Sequence, residues 1–116
     1  MLVADDNEDA AGSLAELLRI GGHDVRTAHD GREAVQVVQE FAPDIVILDL
    51  GMPHVDGFEA ARRIRSLEQG KHVTMVALSG WGQDTDRARS RAAGFDHHLT
   101  KPATVATLEA ILRPPV

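Results

Sequence analysis

The sequence predicts a doubly wound α/β sandwich on a parallel five-stranded sheet, and three observations carry that expectation. Apolar runs alternate with helical patterns from one end of the chain to the other. Two of the runs, "IVIL" at 45–48 and "VTMVAL" at 73–78, are continuous and rich in branched residues, as strands buried on both faces require. Glycine and proline punctuate the junctions, with no linker, internal repeat or low-complexity tract between them.

Strands are predicted over Met1–Ala4, Asp24–Thr27, Ile45–Leu48, Val73–Leu78 and His97–Thr100. Leu14, Leu17 and Leu18 mark the apolar face of the first helix, whose first turn suits acidic residues such as Glu8 and Asp9. Ala34, Val38 and Phe41 mark the second helix, and Ala60, Ala61, Ile64 and Leu67 the third. Val105, Leu108, Ile111 and Leu112 mark the fifth. The fourth, predicted over Gln83–Ala93, has only Ala88 and Ala92 in register and is expected to pack least firmly. "DGRE" at 30–33 and "DGFE" at 56–59 each place a capping aspartate three residues before a glutamate, a capping-box spacing. Gly21–Gly22, Gly70 and Gly94 fall at helix C-caps, Pro43 opens the third strand and Pro102 closes the fifth.

With 116 residues, the chain is expected to form one domain over 1–116. Its 43% hydrophobic and 26% charged residues are ordinary for a globular protein. The absence of cysteine excludes disulfides and thiolate metal sites. No apolar stretch approaches the roughly 18 residues of a membrane span and no signal peptide is visible, so a cytoplasmic domain without direct membrane contact is expected. The first strand begins at residue 1 and "RPPV" ends the chain abruptly, which favours a piece of a longer protein. A net charge of −6 argues against a nucleic-acid surface. Arg62, Arg63 and Arg65, and again Arg87, Arg89 and Arg91, are read as solvated helix faces. His23, His29, His54, His72 and His97 are scattered and read as surface or loop residues.

Sites in doubly wound sheets form outside the carboxyl ends of the strands. There the first strand carries Asp5 and Asp6, the third Asp49, the fourth Ser79 and the fifth Lys101, while the second carries no ionised residue. A flavodoxin-like order, 2-1-3-4-5, leaves the second strand at an edge and brings the other four together. Asp49 ends the most hydrophobic run, and the next helix starts several residues later at Asp56, so Asp49 is not an N-cap. It is either functional or one half of a structural Asp–Lys pair. Three carboxylates facing one lysine remain unbalanced unless one is protonated or a divalent cation binds. Oxygen donors without His or Cys favour Mg²⁺, with Mn²⁺ possible.

"VADDNE", "ILDLGMPHVDGFE", "ALSG" and "HHLTKP", at these spacings and strand ends, resemble the receiver domain of two-component response regulators along essentially the whole chain. "GFDHHLTKP" is especially similar to receivers of hybrid sensor histidine kinases. The resemblance implies a phosphoacceptor domain, with self-phosphorylation and autodephosphorylation chemistry but no independent enzyme activity. Its partner would be a histidine kinase or a histidine phosphotransfer domain. By position, Asp49 would accept the phosphoryl group of a phosphohistidine. Asp5, Asp6, Asp49 and the Gly51 carbonyl would hold Mg²⁺, with Asp6 the more direct ligand of the first two. Ser79 would bond the phosphoryl group, Lys101 would pair with its charge, and the Lys101–Pro102 peptide is expected to be cis. His98 stands where an aromatic switch residue is common and is assigned to the switch, together with the loop holding Gly80, Trp81 and Gly82. Gly51 lacks a side chain, and Ala103 is smaller than usual after Lys-Pro. A donor helix is expected to contact Asn7, Ala10, Leu14, Pro102 and Ala103.

Three other readings are weaker. A haloacid-dehalogenase-type phosphatase wants a second acid two residues after the nucleophile, where Gly51 stands, and the chain has no room for a cap domain. A flavodoxin-like cofactor binder wants a Ser/Thr/Gly-rich phosphate loop, but "ADDNED" would repel phosphate. A docking module that no longer takes phosphate would not need the complete acid–Ser–Lys set.

Overall fold

Every predicted apolar run forms a strand in the computed structural model, which describes residues 1–52, 55–80, 87–101 and 103–112. In chain order the elements are β1 (Leu2–Ala4), α1 (Glu8–Ile20), β2 (Arg26–Ala28), α2 (Gly31–Phe41), β3 (Ile45–Asp49), α3 (Gly57–Ser66), β4 (Thr74–Ser79), α4 (Arg87–Ala93), β5 (His97–Thr100) and α5 (Val105–Leu112). A short 3-10 turn, Glu68–Gly70, lies between α3 and β4; no apolar period announces it. The sheet has the order β2-β1-β3-β4-β5 and all its pairs are parallel. Ala4 is level with Leu48, Leu48 with Ala77, and Leu78 with Leu99. That register brings the carboxyl ends of β1, β3, β4 and β5 side by side.

Alternation along each strand divides the core between the two sheet faces. Leu2, Ala4, Val46, Leu48, Met75 and Ala77 face one way, with Val38 of α2 and Ile64 of α3. Val3, Ile47, Val76 and Leu78 face the other, with Leu14 and Leu18 of α1 and Leu108 of α5. Fully buried Leu, Ile and Val side chains each contribute roughly 1.5–3 kcal/mol, so this two-sided burial is what holds the helices on both faces of the sheet.

The predicted caps form, though neither capping box closes reciprocally on its own N-cap. Asp30 accepts from the Glu33 N–H at 2.7 Å, while Glu33 reaches back to the His29 N–H at 3.2 Å. Asp56 accepts from the Glu59 N–H at 2.9 Å, while Glu59 binds Arg62 and Arg63 instead. The glycine after the second cap has a separate role. A Cβ on Gly57 would lie 2.6 Å from the Asp49 carbonyl oxygen and 2.7 Å from Leu50 Cα, so α3 starts hard against the chain leaving β3.

Four expectations need correction. β2 lies later than predicted because its pairing runs from Leu2↔Arg26 to Ala4↔Ala28. Gly70 is a position of close approach, with a Cβ falling 2.7 Å from the Ile64 carbonyl carbon, rather than a left-handed cap. Ala88 and Ala92 are exposed; Ser90 and Ala93 form the buried side of α4. A search for apolar spacing passes over a helix whose buried stripe includes a serine. Finally, Arg65 is not part of a solvated face, whereas Arg89 stays exposed with one ring contact. Arg65 bonds the carbonyls of Gly70, Lys71, Val73 and Gly94 and the Asp96 carboxylate, and Arg89 lies over the Phe58 ring at 4.1 Å.

Candidate functional site

The carboxyl ends of the four contiguous strands form an acidic pocket. Asp5 and Asp49 are buried there and Asp6 is exposed at its rim, and one carboxylate oxygen from each lies within 4.8 Å of the others. Backbone donors hold the two buried acids: Asn7 N–H donates to Asp5 Oδ1 at 3.0 Å and Gly51 N–H to Asp49 Oδ1 at 3.0 Å. Lys101 reaches in from the end of β5, its Nζ 2.9 Å from Asp49 Oδ2 and 3.3 Å from Asp5 Oδ2. Its own N–H donates to the Ser79 carbonyl at 2.8 Å, fixing the lysine beside the end of β4.

Electrostatics separates the two buried acids. Burial pushes both carboxyl groups up. For Asp49 the bond from Lys101 and then the Gly51 N–H overcome burial and hold it below the usual carboxylate range. Asp5 ends above its ordinary value, because burial and the charge of Asp49 outweigh the Asn7 N–H and Lys101. Lys101 is raised: burial alone would lower it, but its bond to Asp49 wins. A metal-free Asp5→Asn domain is therefore expected to be more stable near neutral pH, by about 1 kcal/mol, since the amide keeps Oδ1 for Asn7 and sheds repulsion. A raised acid pKa means that the folded state holds the proton longer, so parent stability falls as pH rises through that window. Urea melts in chelator across this range check it. Equal pH slopes in parent and variant would refute the strain assigned to Asp5.

Oxygen donors with this excess of negative charge fit a hard divalent cation. Ser79 is buried, and its Oγ lies 3.0 Å from His98 Nε2. His98 already lies beside Ser79, so no vacant space beside β5 has to open before the ring can sit there. Its Nδ1 contacts Ser90 Oγ at 3.2 Å, a partner the sequence reading missed. Gly51 is exposed just past Asp49.

The expected docking residues are brought only partly together. Ala10 and Leu14 line a groove of about 290 Å³ with Leu17, Ala103, Asp5 and Lys101. Leu14 itself is buried, and its neighbours Leu17 and Ile20 are 52% and 77% exposed, carrying the free apolar surface of α1. Asn7 serves as the α1 N-cap, accepting from Ala10 N–H at 3.1 Å. Pro53, His54, Trp81, Gly82, Pro102 and the first residues predicted for the fourth helix lie outside the described residues.

Comparison with known proteins decides the family. The response regulator receiver domain family matches residues 1–113. The chain belongs to it. Receiver domains accept phosphoryl groups in two-component signalling and bind Mg²⁺ at an acidic pocket, and this chain is such a phosphoacceptor domain. It is 37% identical over 110 residues to the transcriptional regulatory protein PrrA of Mycobacterium tuberculosis, covering 95% of the chain but only 46% of that relative. The receiver domain of sensor histidine kinase PA1611 from Pseudomonas aeruginosa, solved with magnesium in its active-site cleft, is 32% identical with a TM-score of 0.84. That match covers 95% of this chain and 90% of that one. The receiver domain of Ssk1 from Saccharomyces cerevisiae, solved with the histidine phosphotransfer protein Ypd1, is 28% identical with a TM-score of 0.82, covering 93% and 81% of the two chains. Among the described residues of this receiver domain, no helix is long and apolar enough to cross a membrane.

Proposed function

We propose that Asp49 is the residue that takes the phosphoryl group. The observation that carries this is a carboxylate only 4% exposed at the end of a central strand, ionised by a lysine from β5 and opposed by a second buried acid from β1. An Asp49 oxygen forms the new O–P bond as the donor's P–N bond breaks, and the electron pair of that bond stays on the donor imidazole. Lys101, already at Asp49 Oδ2, shifts to the arriving phosphoryl oxygens and balances their charge. Ser79 donates to another of those oxygens. Asp5, Asp6, Asp49 and the Gly51 carbonyl hold Mg²⁺ or Mn²⁺, which when bound supplies further charge neutralisation. The domain acts in the cytoplasm, either on its own or fused to a sensor kinase in a longer chain. Intact mass after incubation with acetyl phosphate and Mg²⁺ tests the assignment. One phosphoryl group is expected in the parent and none in Asp49→Asn; labelling that persists in the variant would sink it.

The donor is the phosphohistidine of a histidine kinase or phosphotransfer domain, presented on a helix laid over α1 and the chain after Lys101. The apolar groove beside Asp5 and Lys101, continued by exposed Leu17 and Ile20, supports this face, and the existence of a Ypd1 complex with the Ssk1 receiver supports the kind of partner. Ala10, Leu14 and Ala103 line the groove, Asn7 caps α1 by bonding Ala10, and Pro102 adjoins in sequence. Ala10→Arg places a bulky charge at the groove and is expected to slow transfer from a cognate donor about tenfold or more, leaving acetyl phosphate labelling intact. Normal transfer in Ala10→Arg would place the donor elsewhere.

A further inference from the structure

Ser90 is a buried polar residue of α4 that phosphoryl acceptance, as described so far, does not use. It is 3% exposed, and its Oγ lies 3.2 Å from His98 Nδ1. His98 Nε2 in turn lies 3.0 Å from Ser79 Oγ. Side chains of α4, β5 and β4 thus form a continuous hydrogen-bonded chain, and it ends at the hydroxyl assigned to the phosphoryl group.

The proton inventory of that chain is small. Each serine hydroxyl has one proton, and a neutral imidazole has one N–H. Two arrangements satisfy both bonds. In the first, Ser79 donates to Nε2 and Nδ1–H donates to Ser90. In the second, Nε2–H donates to Ser79 and Ser90 donates to Nδ1. Phosphoryl oxygens only accept, so Ser79 can bond one only by giving up its single proton. With a neutral ring, that demand removes the first arrangement.

We propose that Ser90 is a positioning residue of the phosphoacceptor: its hydroxyl donates to His98 Nδ1, holds the ring as the Nε2–H tautomer, and so turns the Ser79 proton toward Asp49. This rests on the assignment of Asp49 and Ser79 made above. It gives α4 a defined part in the phosphorylated state, because the orientation of one hydroxyl on that helix becomes tied to what is bound at the end of β3. A serine that merely filled the space beside His98 would leave Nδ1 without a hydrogen bond and the Nε2–H tautomer less firmly held.

The test uses domain labelled with ¹⁵N-histidine, with beryllofluoride and Mg²⁺ as the phosphoryl mimic. In the parent, the bound state is expected to show His98 protonated at Nε2 and a bare, hydrogen-bonded Nδ1. In Ser90→Ala, the Nδ1 resonance should move toward that of an unbonded nitrogen, and the mimic should bind roughly fivefold more weakly, the factor carried by about one neutral hydrogen bond. Amide shifts at Asp49 and Gly51 on adding the mimic report the acceptor site separately. If they appear but His98 is protonated at Nδ1 or at both nitrogens, or if Ser90→Ala binds the mimic as tightly as the parent, the role of Ser90 is overturned while the acceptor assignment stands. If those amides do not respond in the parent, both fall. The parent spectrum is decisive even if the variant folds poorly.

Discussion

Replacing Lys101 with Met is expected to destabilise the metal-free domain by about 2–3 kcal/mol near pH 7 and to slow phosphoryl acceptance about a hundredfold. The stability figure sits below that for a fully buried pair because the lysine side chain is 32% exposed and partly screened. Without Lys101, two nearly inaccessible carboxylates face each other with only the Asn7 and Gly51 N–H groups to support them. The pH dependence follows from both partners. Asp49 is held below its ordinary value, so its contribution is present above the unfolded carboxylate range and is lost as pH falls through the folded pKa. Lys101 is raised, so its contribution is complete below the usual lysine range and is lost as pH rises through the raised value. Neutral pH lies on the plateau between the two. The gap between parent and variant should therefore close in acid. Urea melts near neutral and at about pH 3 measure it; identical neutral midpoints would mean that the pair contributes nothing.

Arg65→Ala should be as damaging by a different route, costing about 3 kcal/mol at any pH where the domain folds. Its guanidinium bonds Gly94 O at 2.7 and 3.0 Å, Val73 O at 2.7 Å and Asp96 Oδ2 at 2.9 Å. These groups belong to the entry into β4 and the turn between α4 and β5, so one side chain ties α3 to both and reinforces the Asp96 N–H bond to the Met75 carbonyl at 2.8 Å. Gly94 admits this packing: a Cβ there would lie 2.7 Å from Arg65 Cγ. Lys should not rescue the loss, since an ammonium cannot span divergent carbonyls as a planar fork does. Arg65 lies at the end of the sheet away from Asp49, so the folded fraction should still take phosphate at the parent rate. A melting midpoint within experimental error of the parent would refute the clamp.

How these two sites could be read in the sequence differs for a physical reason. Asp49 and Lys101 announce themselves because polar residues ending apolar strands violate the local pattern, and the strand order then brings them together. Arg65 follows its local pattern; on a helical wheel it belongs with Arg62 and Arg63, and only the turn packed against Gly94 distinguishes it. Ser90 is hidden in the same way, its burial depending on His98 across a tertiary contact. The acid cluster was legible, but the distribution of its strain was not. Three carboxylates facing one lysine read as equal members of the cluster, yet Asp6 lies exposed at the rim while Asp5 is the buried partner of Asp49. Sequence spacing places both acids after β1 without saying which turns inward.

The distribution of the site over β1, β3, β4 and β5 has a consequence for how the chain comes into being. Each of those strands supplies one part, the first part being Asp5 and the last Lys101, and no adjacent pair of strands holds a complete set. During synthesis the acids of β1 and β3 leave the ribosome well before the lysine that balances them. Until β5 docks on β4, the nascent domain carries an acidic cluster without its internal cation and lacks the ring that contacts Ser79. With Asp49, Ser79 and Lys101 acting as proposed, competence to take the phosphoryl group arrives with the last strand pairing, so that partly made or unravelled copies stay silent toward the donor.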